Sequence, residues 1–320
     1  MLDGGDPPGP SAAEVASGRM RPLRFGELLD TVFTLYRRNF VLLVAVVAVV
    51  QVPFQALSSL LPRPTVRLPR SASGTALTAV QSQHLLHDLA TTAAIDLGLL
   101  GLTYAIVVPL QTAAFTRAVA DRLLGRTATV GAVYRAALGR WLPLLGLGLL
   151  LVGSFLAALA IVGLVVTLLV LIAGPAGALL GFVLGLAAVV AGGVAYVRLL
   201  FGSQVVVLEG FGPWPAVRRS WELTRGLAWR AAGVVVVLSL IGGVVSLVLG
   251  GLIAGLGAAL GVGSVANSAV DDVGQAVVAI LVAPILATGL TVLYFDHRVR
   301  REGFDLELLA AQLAGASPAP

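Results

Sequence analysis

Between Leu142 and Val197 the chain carries no Asp, Glu, Lys or Arg. That feature alone excludes an ordinary water-soluble fold. The stretch resolves into two apolar runs, Leu142 to Ala173 and Ala176 to Leu200, each above the about 20 residues that a helix needs to cross a bilayer. Only Gly174 and Pro175 separate them, so the two runs are expected to form a tight helical hairpin. Gly177, Gly181 and Gly185 recur at every fourth residue, the small-residue seam that lets two helices approach closely, and packing explains them better than a ligand role. Composition extends the argument to the whole chain. Apolar residues make up 58% of it and charged ones 12%, with a mean hydropathy of +0.97, values that belong to integral membrane proteins. Four more apolar runs, Val41 to Leu61, Ala93 to Phe115, Ala231 to Gly255 and Val273 to Phe295, complete the expectation. It is an all-α integral membrane bundle of six transmembrane helices with amphipathic cytoplasmic surface helices. Pro53, Pro109 and Pro284 are expected to kink their spans, Gly251 and Gly255 to pack closely, and Asn267, Asp271 and Asp272 to mark a turn.

Several function classes fall away at this level. The chain has no Cys, which excludes disulfides, thiolate catalysis and Cys-ligated metals. Its 21 basic residues, all Arg, exceed 16 acidic ones, yet no aromatic and basic platform for single strands accompanies them, so no nucleic-acid partner is expected. A general acid with its base, a nucleophile with its base and a phosphate-binding glycine loop are all missing from the sequence, so no catalytic residue and no cofactor is assigned.

Three segments read as surface helices. Leu208 to Arg230 packs three of the four Trp and four Arg between two spans. Gly212, Pro213 and Pro215 suit the start of a helix. Val217, Ser220, Trp221 and Thr224 share one face, with Arg218, Arg219, Glu222 and Arg225 on the other and Arg218 spaced to pair with Glu222. Arg21 to Phe40 places Phe25, Leu28, Leu29, Val32, Phe33, Leu35 and Tyr36 on one side, and Val130 to Trp141 repeats the theme. Ala132-Val133-Tyr134-Arg135 and Ala216-Val217-Arg218-Arg219 match, which suggests one surface helix plus one hairpin as a recurring unit. With the N-terminus inside, all basic residues except Arg63, Arg67 and Arg70 fall on the cytoplasmic side, and all four Trp join them as an aromatic belt. The expected layout is a disordered cytoplasmic tail over 1–20, a membrane domain over 21–313 and a second disordered tail over 314–320. A plasma-membrane protein with both termini cytoplasmic follows.

Two sets of residues carry the candidate chemistry. Arg37, Arg38, Arg135, Arg218, Arg219 and Arg225, with Trp221, are candidate contacts for anionic lipid headgroups, although topology alone also accounts for the arginines. Gln51, Gln55, Gln111, Arg198 and Gln204 are candidate polar groups at membrane depth, where polar side chains are costly and either functional or hydrogen-bonded between helices. His84, His87 and Asp88 have metal-ligand spacing, but a closed site needs about four ligands and a polar helix stripe accounts for them, so no metal is assigned.

Three blocks, RFGELLDTVFTLYRRNF near the start, VLEGFGPWPAVRRSWELTRGLAWR in the middle and LYFDHRVRREGFDLELL near the end, carry a resemblance. The chain resembles, from about Arg21 to Leu313, the stand-alone membrane domain of the glycerophosphoryl diester phosphodiesterase membrane-domain family of bacteria. Some relatives of that family attach a soluble catalytic barrel. No stretch after Leu313 is long enough to be one, so the resemblance implies a six-span membrane module without the phosphodiesterase activity. The leading expectation is therefore a non-enzymatic module that engages membrane lipids, anionic ones included, or a membrane protein partner. The alternatives are a transporter or lipid-moving protein using the polar groups of the kinked spans, and a hydrolase that would require the His84 and His87 pair to bind metal.

Overall fold

A computed structural model describes residues 22–60, 79–123, 125–259 and 264–304. Every regular element among them is helical. Helix α1, Phe25–Arg38, begins where the Arg24 N–H donates to the Glu27 carboxylate at 2.8 Å. It buries Leu28, Val32 and Leu35 and ends at Asn39, whose side chain donates to the Leu35 carbonyl at 3.0 Å. The chain then turns by 79° into α2, Phe40–Leu60, so α1 lies across the end of the bundle. Phe25, expected to share a face with Leu28, Val32 and Leu35, is exposed while those three are buried.

Helices α3, Ala79–Leu102, and α4, Val108–Leu123, run together through a π-helical segment, Thr103–Val107. Pro109 explains that segment. It has no N–H for the Ala105 carbonyl and its ring would crowd it, so the helix widens by one residue. A partner helix fills the resulting contact. A Cβ on Gly148 would lie 1.9 Å from the Ala105 oxygen, so only glycine fits. The short α5, Val130–Leu138, is capped by Thr129, which accepts from the Ala132 N–H at 3.4 Å, and packs on α4.

Helix α6, Trp141–Leu199, is broken at Gly174, whose φ of 55° and ψ of −130° no α-helix contains. The arms on either side fold back on each other: a Cβ at Gly177 would meet the Leu169 oxygen at 1.8 Å, and one at Gly181 would meet Val166 at 2.8 Å. The expected hairpin is therefore present, but its seam is shorter than the glycine spacing implied, because Gly185 has open space around it. Within α6 only Leu144, Leu147, Gly148, Gly177 and Gly181 are buried. The remainder is a large exposed apolar surface, including Leu171, Ile172 and Phe182, of the kind that lipid covers.

Helix α7, Gly202–Gln204, and a second π-helical segment, Val205–Glu209, continue this line to Gly210. Gly210 adopts φ 76°, a left-handed conformation that a residue with a Cβ rarely takes. The chain reverses there into α8, Pro213–Thr224, with Gly212 as its cap and Pro213 as its first residue. Helices α9, Ala228–Ala259, and α10, Ser264–Glu302, form a long antiparallel pair. Their close contacts are Gly242 on Val282, Gly274 on Ile253 and Gly289 on Leu238. Gly251 and Gly255 have nothing near them, which corrects the expected seam. Asn267, Asp271 and Asp272 also lie inside α10 and not in a turn. No Gly or Pro stands between Ser264 and Val273, so nothing stops a helix whose elongation is cooperative.

Four described helices are long and apolar enough to cross a membrane: Gln83–Leu123, Trp141–Glu209, Ala228–Gly257 and Val273–Glu302. A fifth is added if the bent pair Phe25–Arg38 and Phe40–Ala56 counts as one. The expected tails, Arg63, Arg67 and Arg70 lie outside the described residues.

Candidate functional site

Hydrogen bonds gather the start of α2, the ends of α4 and α5, the segment 198–230 and the end of α10 at one end of the bundle. The Tyr134 hydroxyl donates to the Val46 carbonyl, Arg140 donates to the Gly210 carbonyl at 3.2 Å, and Arg301 donates to the Arg225 carbonyl. Arginines dominate this end, and the structure sorts them into two populations.

The inner population is neutralised by carboxylates. Asp296, whose side chain is 0% exposed, accepts from the Leu23 N–H at 2.9 Å, Arg230 Nε at 3.0 Å and Arg300 Nε at 3.0 Å. Arg230 also donates to the Leu23 carbonyl at 2.7 Å, so the strand-like entry to α1 is tied to α9 and α10 together. Glu209 accepts from Arg219 Nε at 2.8 Å and from the Tyr294 hydroxyl at 2.6 Å. Arg219 reaches on to Glu302, which also holds Arg298 at 3.2 Å. Burial alone would lower the pKa of Arg219, but the hydrogen bond and charge of Glu209 and the charge of Glu302 hold it above its ordinary value. Between the two carboxylate groups, Phe201 packs edge-on against Tyr294 and His297. His297 is fully buried with Nδ1 3.2 Å from the Leu223 carbonyl. A carbonyl only accepts, so Nδ1 carries the proton and Nε2 is left without a partner.

The outer population is exposed. Arg37, Arg38, Arg135, Arg218 and Arg225 all face outward, and no carboxylate among the described residues pairs with them. All four Trp accompany them: Trp141, Trp214 and Trp221 are exposed, and Trp229 is 91% exposed. Helix α8 owes its orientation to Ser220, whose hydroxyl donates to the Arg198 carbonyl at 2.8 Å and accepts from the Phe201 N–H at 3.1 Å. Its buried face is Ala216, Ser220, Leu223 and Thr224. Trp221, expected to share a face with Ser220 and Thr224, is exposed while those two are buried, and it lies under the Arg198 guanidinium at 5.3 Å.

Of the residues singled out by sequence, Arg219 is thus withdrawn into an ion-pair network, and the ion pairs of α8 are its own, not those of Arg218 with Glu222. Arg198 and Trp221 are brought together. Gln51 is half-buried, and Gln55 engages a partner. Gln111 encloses an unpartnered Nε2, and Gln204 is 0% exposed with neither amide atom hydrogen-bonded. Thr288 and Thr291 on α10 and Thr116 on α4 are also fully buried, with the Thr116 and Thr291 hydroxyls 3.5 Å apart. His84 and His87 are exposed on α3, Asp88 is half-buried, and no group of three or more His, Asp or Glu among the described residues has metal-binding geometry.

Sequence reasoning missed the inner network. Asp296 with Arg300 and Arg298 with Glu302 stand four apart on one helix, a spacing that signals pairing. Glu209 with Arg219 had no such signal, because the turn at Gly210 brings them together.

Comparison with curated proteins and with solved structures gives no match. A family described as a domain of unknown function, DUF7847, matches residues 23–296. That span runs from the start of α1 to Asp296, the carboxylate that ties α1, α9 and α10 into one unit, and the chain belongs to this family.

Proposed function

We propose that this chain is a non-enzymatic, six-crossing module of the plasma membrane whose arginine-rich end lies in the headgroup layer and holds anionic lipid. The break at Gly174 supports counting Trp141–Glu209 as two crossings. With α2, the α3 and α4 line, α9 and α10, six crossings put both termini on one side, and the arginine excess makes that side cytoplasmic. The resemblance to the membrane domain of the phosphodiesterase family belongs to the same reading, without its chemistry. One observation carries the proposal: the exposed arginines without carboxylate partners share a layer with four exposed indoles. Exposed Trp and Arg together are what a bilayer interface accommodates.

The purified protein is equilibrated with equal phosphatidylglycerol and phosphatidylcholine, and bound lipid is counted by native mass spectrometry at low salt. Phosphatidylglycerol is expected in excess, and replacing Arg37, Arg38, Arg135, Arg218 and Arg225 by Gln removes about 1 kcal/mol of attraction per charge. Equal retention of the two lipids by the wild type sinks the proposal. A transport reading rests on Gln204, a buried amide that nothing in the described protein satisfies. Gln204→Leu separates the two readings, since a structural amide of this kind is replaceable with a gain in thermal stability whereas a solute ligand is not.

A further inference from the structure

On α8 and at the residue that caps its end, Trp214, Arg218, Trp221 and Arg225 follow at spacings of four, three and four, which places them along one side of the helix. All four are exposed. Because Ser220 is hydrogen-bonded to Arg198 and Phe201, this stripe is held at a fixed angle to α6. Behind it the Arg198 guanidinium lies over the Trp221 ring. Arg198 Nε and Nη1 are enclosed without a hydrogen-bond partner. No carboxylate among the described residues forms an ion pair with it, and Glu209 and Glu302 are engaged by Arg219, Tyr294 and Arg298. Nε and Nη1 are closed to solvent, so an anion would meet this stacked guanidinium, which lacks a counter-ion, at Nη2, where a charge-assisted hydrogen bond is strong. What lies next to it along α6 identifies the anion's carrier. Leu186, Val190 and Val194 precede Arg198 at four-residue steps, an inclined row along the helix, and all three are exposed.

Resting on the reading that this end lies among headgroups, we infer that Arg198 and Trp221, flanked by Arg218 and Arg225, bind the phosphodiester of one anionic phospholipid. Its acyl chains run along Val194, Val190 and Leu186. Trp214 and Trp221 cover the headgroup side, and the guanidinium meets the phosphate at the depth where the apolar row ends.

The full-length protein in detergent is offered phosphatidylglycerol and phosphatidylcholine, and bound lipid is counted at low salt and at about 0.5 M salt, where exposed charges are screened within a few ångströms. At high salt the wild type keeps its phosphatidylglycerol excess, Arg198→Gln loses it about tenfold, and Trp221→Ala loses about fivefold. Equal high-salt retention by the wild type and Arg198→Gln overturns the seat but leaves the headgroup-layer reading intact. That reading fails by a different result, the absence of any preference in the wild type at low salt. Should Arg198→Gln not fold, the double variant Arg218→Gln with Arg225→Gln, altered only at exposed positions, carries the test: at low salt retention falls about thirtyfold with thermal unfolding unchanged, and unchanged retention overturns the seat. Displacement of the bound lipid by an excess of inorganic phosphate overturns the lipid assignment, since a seat built along an apolar row does not release a lipid to a free anion.

Discussion

Arg218 and Arg219 are neighbours in sequence with opposite surroundings. Arg219 bridges Glu209 and Glu302, while Arg218 points outward with no carboxylate partner among the described residues. Removing a partly buried bridging charge leaves Glu209 with Tyr294 alone and Glu302 with Arg298 alone, so Arg219→Gln is expected to lower stability by about 2 kcal/mol after allowance for its partial exposure. Arg218→Gln is expected to stay within about 0.5 kcal/mol. Thermal unfolding in detergent distinguishes the two, and equal effects would remove the division into inner and outer arginines. Tyr134 offers a test by pH. Burial pushes its phenol up to about 12 from 10.0, and its hydroxyl donates to Val46 on α2. The unfolded chain ionises first as pH rises above 10, so it binds fewer protons than the folded one and stability falls through that window. Tyr134→Phe loses about 1 kcal/mol at neutral pH, and its stability should fall less between pH 10 and 12 than that of the wild type. An identical alkaline profile in the two proteins would contradict the buried phenol.

Among the helices, the glycine contacts rank themselves. Gly148→Ala drives a Cβ into the backbone of the π-helical segment, which cannot yield without moving a helix, and should cost about 1 to 3 kcal/mol. Gly181→Ala meets only a Val166 methyl at 2.8 Å and should cost less. Gly251→Ala, in open space, should be neutral or stabilising by up to about 1 kcal/mol. Unfolding temperatures in that order support the packing described, and a Gly148→Ala protein as stable as wild type would refute it. The same glycines mark what the sequence makes legible. Long apolar runs announce the helices, and Gly174-Pro175 announces the hairpin, because length and a breaker are local properties. Which glycine touches a neighbour is not local. Gly289 meets Leu238 and Gly185 meets nothing, although their surroundings in sequence are equally apolar. The α8 face is shifted from the one the spacing gives: periodicity groups Val217 and Trp221 with Ser220 and Thr224, whereas the Ser220 hydrogen bonds to 198 and 201 bury Ala216 and Leu223 beside Ser220 and Thr224. The inner ion pairs were half legible: those within α10 follow from spacing, and the one between Glu209 and Arg219 depends on the left-handed turn at Gly210.

For the molecule as a whole, orientation is testable because the chain lacks Cys. Ala132→Cys, exposed on α5 at the arginine-rich end, should resist an impermeant thiol reagent in intact cells, and Ala176→Cys, exposed at the hairpin tip, should label. Ser220 is unsuitable for this purpose, being buried and hydrogen-bonded. Labelling of Ala132→Cys would reverse the topology, and protection of Ala176→Cys would mean that the hairpin dips into the bilayer without crossing. The hairpin also sets a length scale. Its first arm, Trp141 to Ala173, extends about 50 Å at 1.5 Å per residue, against a hydrocarbon layer of about 30 Å. Tilt alone rarely absorbs so large a mismatch, so an arm that crosses would project beyond the hydrocarbon layer or favour a thicker bilayer. A crossing arm of this length would act as a gauge of membrane thickness, set by the distance between Trp141 and Gly174.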